Sequence, residues 1–291
     1  MLLLKTKKRS LTYLVILVVL ALVLVPVGGT TALAQAAPGF VRQVRTLETG
    51  DLGISNPAGL AFSPGARAFW VVESRRPAQA PPPVLDLIQV NAFGDRGTTA
   101  RIAAAIRDPI NMVFDGYANR LLIFQAASNR LIEVPEGAGG ELAAGAIVRH
   151  DARHFGLEDP QGMAVDPGSG HLYVLDGAGP RIVRVEPQAA GGFEGAVISE
   201  VDLGPAELAD VRGLALDAAS GHFYVVSPAE RELYELTPSG QVVVTRDLAG
   251  FGIIESQGMV YAPSGDLTDD PSQMSLYVAA CGRTGNASSA G

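Results

Sequence analysis

One heptapeptide, Asp159-Pro-Gln-Gly-Met-Ala-Val at residues 159–165, recurs along the chain and decides the fold. Each copy has a polar first residue, an anchor at the fourth position and a short apolar segment. The other copies are Asn56-Pro-Ala-Gly-Leu-Ala-Phe, Asp108-Pro-Ile-Asn-Met-Val-Phe, Asp210-Val-Arg-Gly-Leu-Ala-Leu and Glu255-Ser-Gln-Gly-Met-Val-Tyr. The anchors, spaced by 52, 51, 51 and 45 residues, are Gly59, Asn111, Gly162, Gly213 and Gly258. Such regular spacing indicates a protein built from repeats of about 50 residues.

Each anchor is followed by the pattern of a small antiparallel sheet. In the third repeat an apolar strand at 163–165 leads into the turn Asp166-Pro-Gly-Ser-Gly, whose residues favour tight turns. Two more strands follow, at 171–175 and 181–186, and the last of these alternates apolar and polar residues as a half-exposed strand does. A fourth strand, at 197–203, closes the unit. Four strands in each repeat predict an all-β fold, a β-propeller of four-stranded blades.

A family resemblance rests on these same residues. The pattern Pro-x-Gly-(Leu/Met)-Ala, a turn and then Leu-Tyr-Val resembles NHL-type repeats and the related six-bladed propellers of the gluconolactonase-like and TolB-like group. The resemblance covers residues 41 to about 280 and implies a ring of five to seven blades, most often six. Families of this shape include ligand scaffolds, protein-binding modules and calcium-dependent lactonases.

The first 36 residues have the pattern of a secretory signal peptide. A basic start, with Lys5, Lys7, Lys8 and Arg9, precedes an unbroken apolar run at 14–25 and the small-residue site Ala34-Gln35-Ala36. The rival interpretation is an uncleaved membrane anchor, although the apolar stretch is at the short limit for spanning a bilayer. We therefore predict a secreted, periplasmic or cell-surface protein with no stable membrane insertion after cleavage. We also expect residues 14–25 to pack against nothing in the propeller.

The charge and the cysteine content of the chain exclude some kinds of binding partner and cross-link. Removing the four basic residues of the leader changes the formal net charge from −8 to −12. An acidic chain of this kind is not expected to bind nucleic acid, which needs a basic surface. Cys281 is the only cysteine, so an intrachain disulfide is impossible. The expected partner is an unknown protein or small ligand on one face of the propeller.

The repeats do not obviously close into a complete ring. The alternating segment at 41–48 is expected to complete the last blade, as a first strand often does in propellers. The fifth repeat supplies strands near 259–261 and 276–278, but no third strand follows them, and residues 281–291 look like a flexible or truncated tail. One interpretation is a six-bladed ring that is incomplete at its C-terminal end. The other is an open or five-bladed ring with a frayed last blade.

A metal site is the first chemistry to consider. Among the calcium-dependent relatives implied by the resemblance, an Asn often precedes the anchor and an Asp often ends the second strand. Here the residues before the anchors are Ala58, Ile110, Gln161, Arg212 and Gln257, and only Glu73 and Asp176 end a second strand with a carboxylate. Calcium takes six to eight oxygen ligands. We therefore predict no catalytic residues, no metal and no cofactor, with calcium at Glu73 and Asp176 only under the alternative.

Candidate ligand contacts lie where the inner strands begin. We expect them at one mouth of the central channel, at Asp108, Asp159, Gln161, Asp210, Arg212 and Gln257. Arg212 could hold an anionic group or form a salt bridge with Asp159 or Asp210. The recurring acids have a structural alternative, because Asp before a turn accepts hydrogen bonds from nearby amides. The predicted function is an exported binding or scaffold module that forms the N-terminal part of a larger protein; the alternative is a calcium-dependent lactonase or esterase.

Overall fold

The computed structural model describes residues 14–22, 41–54, 57–73, 85–102, 109–188, 191–253, 255–266, 268–270 and 272–282. These residues form 20 strands, which make five four-stranded antiparallel sheets. Blades 1 and 2 consist of β3 (Pro57–Ser63), β4 (Ala68–Glu73), β5 (Leu85–Val90), β6 (Arg96–Ile102), β7 (Pro109–Asp115), β8 (Arg120–Gln125), β9 (Arg130–Pro135) and β10 (Val148–Asp151). The predicted all-β propeller is confirmed.

The remaining blades follow the same order from the inner to the outer strand. Blades 3 and 4 consist of β11 (Pro160–Val165), β12 (Leu172–Asp176), β13 (Arg181–Glu186), β14 (Val197–Asp202), β15 (Arg212–Leu216), β16 (Phe223–Ser227), β17 (Glu232–Leu236) and β18 (Val242–Asp247). Blade 5 is made from both ends of the chain. Its strands are β19 (Glu255–Pro263), β20 (Met274–Gly282), β1 (Leu14–Leu22) and β2 (Val41–Glu48). Short 3₁₀ turns occur at Thr49–Leu52, Ala126–Ser128, Arg153–Phe155, Gly204–Ala206 and Ala249–Phe251.

The five inner strands contact one another in a cycle. β3 contacts β7, β7 contacts β11, β11 contacts β15, β15 contacts β19, and β19 returns to β3. The fifth blade packs directly on the first: a Cβ added to Gly258 would lie 2.9 Å from the amide nitrogen of Leu60. Within the described residues, the five sheets therefore close around one axis. A six-bladed ring with further sequence stays a prediction.

The third strand of blade 5 is where the structure departs from expectation. β2 completes the last blade as predicted, but β1 lies between β2 and β20, in antiparallel register with both. The expectation that residues 14–25 pack against nothing in the propeller is therefore wrong for Leu14–Leu22. The blade does contain a third strand, and Cys281 and Gly282 end β20 rather than beginning a tail. Removal of residues 1–36 as a signal peptide stays a prediction.

The anchors explain why the ring is tight. In every blade the pairing of the first two strands shifts register at or next to the anchor, which marks a β-bulge. A Cβ on Gly162 would lie 2.5 Å from the amide nitrogen of Leu214, so a side chain there would force two blades apart. The backbones of blades 3 and 4 therefore approach each other closely at this anchor. Asn111 replaces glycine in blade 2; it is buried, and its Oδ1 accepts a hydrogen bond from the Met112 amide.

The core lies between neighbouring blades, in five apolar clusters. Trp70 and Leu87 of blade 1 pack with Met112 and Ile123 of blade 2, and the other interfaces repeat this arrangement. A blade buries its faces only against its neighbours, so the fold gains stability from the stack rather than from any single sheet. Among the described residues, no helix is long and apolar enough to cross a lipid bilayer.

Candidate functional site

The channel has two ends with different chemistry. We call the end at which the inner strands begin the anchor face, since the anchors lie near it. The opposite end, at which the inner strands turn into the second strands, is the turn face. Those of the predicted ligand contacts whose side chains the structure describes, Asp159, Gln161, Asp210 and Arg212, belong to the anchor face.

Four of the predicted contacts form one hydrogen-bonded chain across blades 3 and 4. Gln161 donates from Nε2 to Asp159 Oδ1 over 2.6 Å, and its own Oε1 accepts from Arg212 Nη1 over 3.3 Å. Arg212 also donates from Nε to Asp210 Oδ1 over 3.1 Å. Of the open alternatives for Arg212, the structure thus shows the ion pair with Asp210. Asp108 lies outside the described residues, and only the backbone of Gln257 is described, within β19.

These hydrogen bonds leave the four side chains little capacity to bind an anion. Arg212 and Asp210 are each 41% exposed, and the guanidinium already spans a carboxylate and an amide oxygen. The second carboxylate, on Asp159, makes the group net negative. A ligand role for these residues stays a prediction. The observed bonds tie blade 3 to blade 4 at the anchor face.

The expectation that the recurring acids accept bonds from turn amides is not met at these two positions. Asp159 and Asp210 instead accept hydrogen bonds from the side chains two residues later. The residue that receives the amides is Asp176, at the end of the second strand. Its carboxylate, fully buried, accepts from the amides of Glu158 at 3.0 Å and Asp159 at 2.8 Å, and from Arg181 Nη2 at 3.0 Å.

Those bonds decide whether Asp176 suits a metal. Burial works against ionisation, but the amides of Glu158 and Asp159 and the Arg181 guanidinium outweigh it, so the pKa of Asp176 lies below its ordinary value. Both carboxylate oxygens already face N–H donors, and a cation in their place would displace these bonds. Asp176 therefore does not fit the role of a calcium ligand. The side chain of Glu73 is not among those described. In the described part of the chain, no three His, Cys, Asp or Glu residues are grouped to hold a metal ion.

The histidines have separate partners. His150 Nε2 lies 2.9 Å from Glu133 Oε2, whereas His154 Nε2 lies 3.1 Å from the carbonyl oxygen of Phe193. The four-residue spacing of this pair, which resembles a helical metal motif, falls on a strand end and a 3₁₀ turn instead. Each of these two histidines thus has its own hydrogen-bonding partner and they do not face a common site.

A wide concavity opens on the turn face. It has a volume of about 440 Å³ and is lined by the far ends of all five inner strands and the turns after them. We call it the funnel. Its walls include Val113, Met163, Leu214 and Met259, with Phe62, Phe114 and Tyr261 also present in the lining. At the other end of the same strands, the anchors bring the backbones of neighbouring blades close together.

Two ionisable side chains line the funnel, Asp217 and Tyr261. Asp217 is already engaged: Oδ1 accepts from the Ala219 amide at 3.0 Å, and Oδ2 accepts from the Ser220 hydroxyl at 2.8 Å. Burial, followed by the nearby charge of Asp217, raises the pKa of Tyr261 to about 12, so its hydroxyl stays protonated at neutral pH. Tyr261 stacks on Tyr224 with ring centroids 5.7 Å apart.

The funnel was not predicted from the sequence. Its lining residues follow the anchors directly, where an apolar strand is expected in any propeller, so they indicated only a core. One sequence signal for the funnel is the pair of small, apolar residues Ala218 and Ala219, which follow the strand 214–216 in a turn. A turn on a polar surface does not need exposed alanines.

Comparison with known proteins supports the architecture. No family model matches the chain, and no curated protein matches it. Among solved structures, one from a nidogen/laminin complex aligns with a TM-score of 0.51 at 16% identity, covering 86% of this chain and 85% of that one. The fold is a β-propeller. At this identity the likeness shows the fold alone.

Two further solved structures align less closely. One is a catalytically inactive virginiamycin B lyase from Staphylococcus aureus with quinupristin, at 14% identity and a TM-score of 0.42, covering 70% of this chain. The chain spans 59% of that lyase. The other is regucalcin, a calcium-binding protein from Agrobacterium tumefaciens, at 14% identity and a TM-score of 0.40, covering 79% of this chain and 92% of that one.

Proposed function

We propose that this chain is an exported, non-catalytic binding module that takes a small apolar ligand into the funnel. The observation that carries the proposal is the funnel itself, one cavity of about 440 Å³ walled by apolar side chains from every blade. Small-molecule sites are concave, mainly apolar and about 300–1,000 Å³ in volume.

The lining also suggests what kind of ligand enters. The funnel offers one carboxylate, on Asp217, whose oxygens are already hydrogen-bonded, and one protonated phenol, on Tyr261. A neutral apolar body would replace water along the walls at no electrostatic cost. One hydrogen-bond acceptor at the edge of the ligand could accept a hydrogen bond from the Tyr261 hydroxyl. A strongly anionic ligand would approach Asp217 and lose affinity.

Export and family remain parts of this proposal. Export is supported by the basic start and apolar run of the first 36 residues. Membership of the NHL-type, gluconolactonase-like or TolB-like group is supported by the repeat pattern. The lactonase or esterase alternative requires calcium, and the engagement of Asp176 by amides and Arg181 weighs against it.

The test is to fill the funnel from its rim. Ala218 is exposed and lines the funnel, so Ala218→Trp would place an indole at the opening. The matched control is Ala229→Trp, an exposed turn alanine of the same blade on the anchor face. The probe is Nile red, a neutral dye whose fluorescence rises in apolar surroundings. We expect saturable binding to the native chain, weakening of about fivefold or more in Ala218→Trp, and no change in Ala229→Trp.

Two outcomes would overturn the proposal. One is a native chain that shows no saturable fluorescence rise. The other is equal weakening in both variants, which would place the dye elsewhere. Thermal melts of both variants establish that any loss occurs in folded protein.

A further inference from the structure

A second concavity lies at the outer rim of blade 2, remote from the funnel. It has a volume of about 410 Å³ and sits on the anchor-face side, where β9 begins and β10 ends. We call it the arginine pocket. Its lining residues are Ser128, Arg130, Arg149, His150, Asp151 and Arg153.

The antiparallel register brings the charges together. Asp151 pairs with Arg130, and Arg149 pairs with Ile132, so these side chains project from the same face of the sheet. Arg153 follows in the 3₁₀ turn directly after β10. Residues about 20 positions apart in sequence thereby converge on one cavity.

The pocket carries an excess of positive charge. Three arginines face one carboxylate, and that carboxylate, on Asp151, is bound by Arg153, which lowers the pKa of Asp151. Within the described part of the chain, the side chains of Arg130 and Arg149 have no hydrogen bond or ion pair.

The nearest further acid is already used. Glu133 accepts from Arg120 Nη1 over 2.7 Å and lies 2.9 Å from His150 Nε2. Arg120 is itself only 6% exposed and is fixed by Asp115. Glu133 is thus paired with Arg120 and His150 and does not neutralise the arginines of the pocket. This local excess stands out in a chain whose formal net charge is −8.

A structural explanation covers part of this arrangement. β10 is the outermost strand of its blade, and charged side chains on an edge strand prevent pairing with other chains. That accounts for Arg149. Protection of the edge does not explain why Arg130, on the neighbouring strand, and Arg153, in the following turn, share a cavity with Arg149.

We propose that the arginine pocket binds a tetrahedral oxyanion, a phosphate or sulfate group. Arginine presents a planar fork of donors suited to such groups, and Arg130 and Arg149 are the two forks not engaged elsewhere. The Ser128 hydroxyl can add one more donor from the same lining. The group could come from the free ion or from an ester on a larger molecule.

The experiment uses calorimetric titration of the full chain with inorganic phosphate, inorganic sulfate and acetate, at constant ionic strength set with chloride. The variants are Arg130→Gln, Arg149→Gln and the double variant. The matched control is Arg101→Gln, since Arg101 is 71% exposed on the outer strand of blade 1 and carries the same charge. A phosphate or sulfate monoester measured in parallel separates the free ion from an ester as the preferred source.

We expect saturable binding of phosphate or sulfate, and weaker binding of acetate. Each single variant should weaken the affinity about tenfold, because a hydrogen bond to a charged group is worth roughly one decade or more. The double variant should abolish binding, and Arg101→Gln should leave it unchanged. The proposal is overturned if the native chain shows no saturable binding, or if the control weakens binding as much as the pocket variants. Nile red binding should be unaffected throughout, so this test is independent of the funnel.

Discussion

Replacing Asp176 by asparagine separates the structural role of this residue from a metal-binding one. The carboxylate is fully buried and receives the amides of Glu158 and Asp159 together with Arg181 Nη2, all at 2.8–3.0 Å. Asparagine has the same shape but no charge. It also replaces one acceptor oxygen by an amide group that would face N–H donors.

The magnitude follows from these contacts. A hydrogen bond to a charged group contributes about 1.5–3 kcal/mol, and an unsatisfied buried donor costs a similar amount. Since the asparagine oxygen still accepts one or two of the three bonds, we expect a loss of about 3 kcal/mol in the free energy of unfolding. For a domain of this size that corresponds to a melting temperature lower by about 6–12 °C.

The assay is thermal and urea unfolding of Asp176→Asn beside Asp202→Asn, with calcium titration of each. Asp202 lies in the same blade, is exposed and caps the Gly204 amide, so its variant should stay within about 0.5 kcal/mol of the native chain. Because the pKa of Asp176 is lowered by folding, its stabilisation is present above the ordinary value of 3.8 and is lost as pH falls through the folded pKa. The difference between native chain and variant should therefore shrink in acid. A loss below 1 kcal/mol, or micromolar calcium binding that disappears in Asp176→Asn, would refute this reasoning.

Three further predictions concern the ring. Gly162→Ala should cost about 1–3 kcal/mol, because its Cβ would meet the backbone of blade 4, whereas Gly179→Ala, with open space around it, should be nearly neutral in urea unfolding. Burial raises the pKa of Glu136, so Glu136→Gln should raise the melting temperature at pH 7 with a gain that vanishes towards pH 4, and exposed Glu194→Gln should not. A chain that starts at Ala37 lacks β1 and should associate in light scattering more than the full chain; a monomeric short form would contradict the role of that strand.

The repeat could be predicted from sequence because each blade carries its own local signals. The anchors, the turns after the inner strands and the aromatic residues of the second strands depend on residues within one blade, and the ring follows from stacking the blades. The segment Val41–Glu48 was also assigned correctly to the last blade. The bulges at the anchors were not predicted, since they arise where two backbones meet.

The sites were harder to predict, because they depend on register and on loops. The ion pair of Arg212 with Asp210 could be foreseen as one option, since the two residues are only two positions apart in sequence. The arginine pocket could not, because the pairing of Arg130 with Asp151 is set by the excursion at 136–147 between β9 and β10. Asp176 was named as a calcium ligand only under the lactonase alternative, and the amides that surround its carboxylate could not be predicted, because a family resemblance does not reveal them.

The strand Leu14–Leu22 shows why one apolar run can support two predictions. Two third strands of the ring are largely covered on both sides by neighbouring blades: in β5 all residues but one are buried, and in β17 four of five are buried, whereas β9 and β13 each bury three of six. A strand buried on both faces has a nearly continuous apolar sequence, and the core of a secretory signal has the same composition. The sequence 14–22 therefore meets both requirements at once, and only pairing partners distinguish them. β20 and β2 supply those partners on either side. If the leader is removed on export, the same two strands are left with a gap between them, and completing blade 5 then requires another apolar strand.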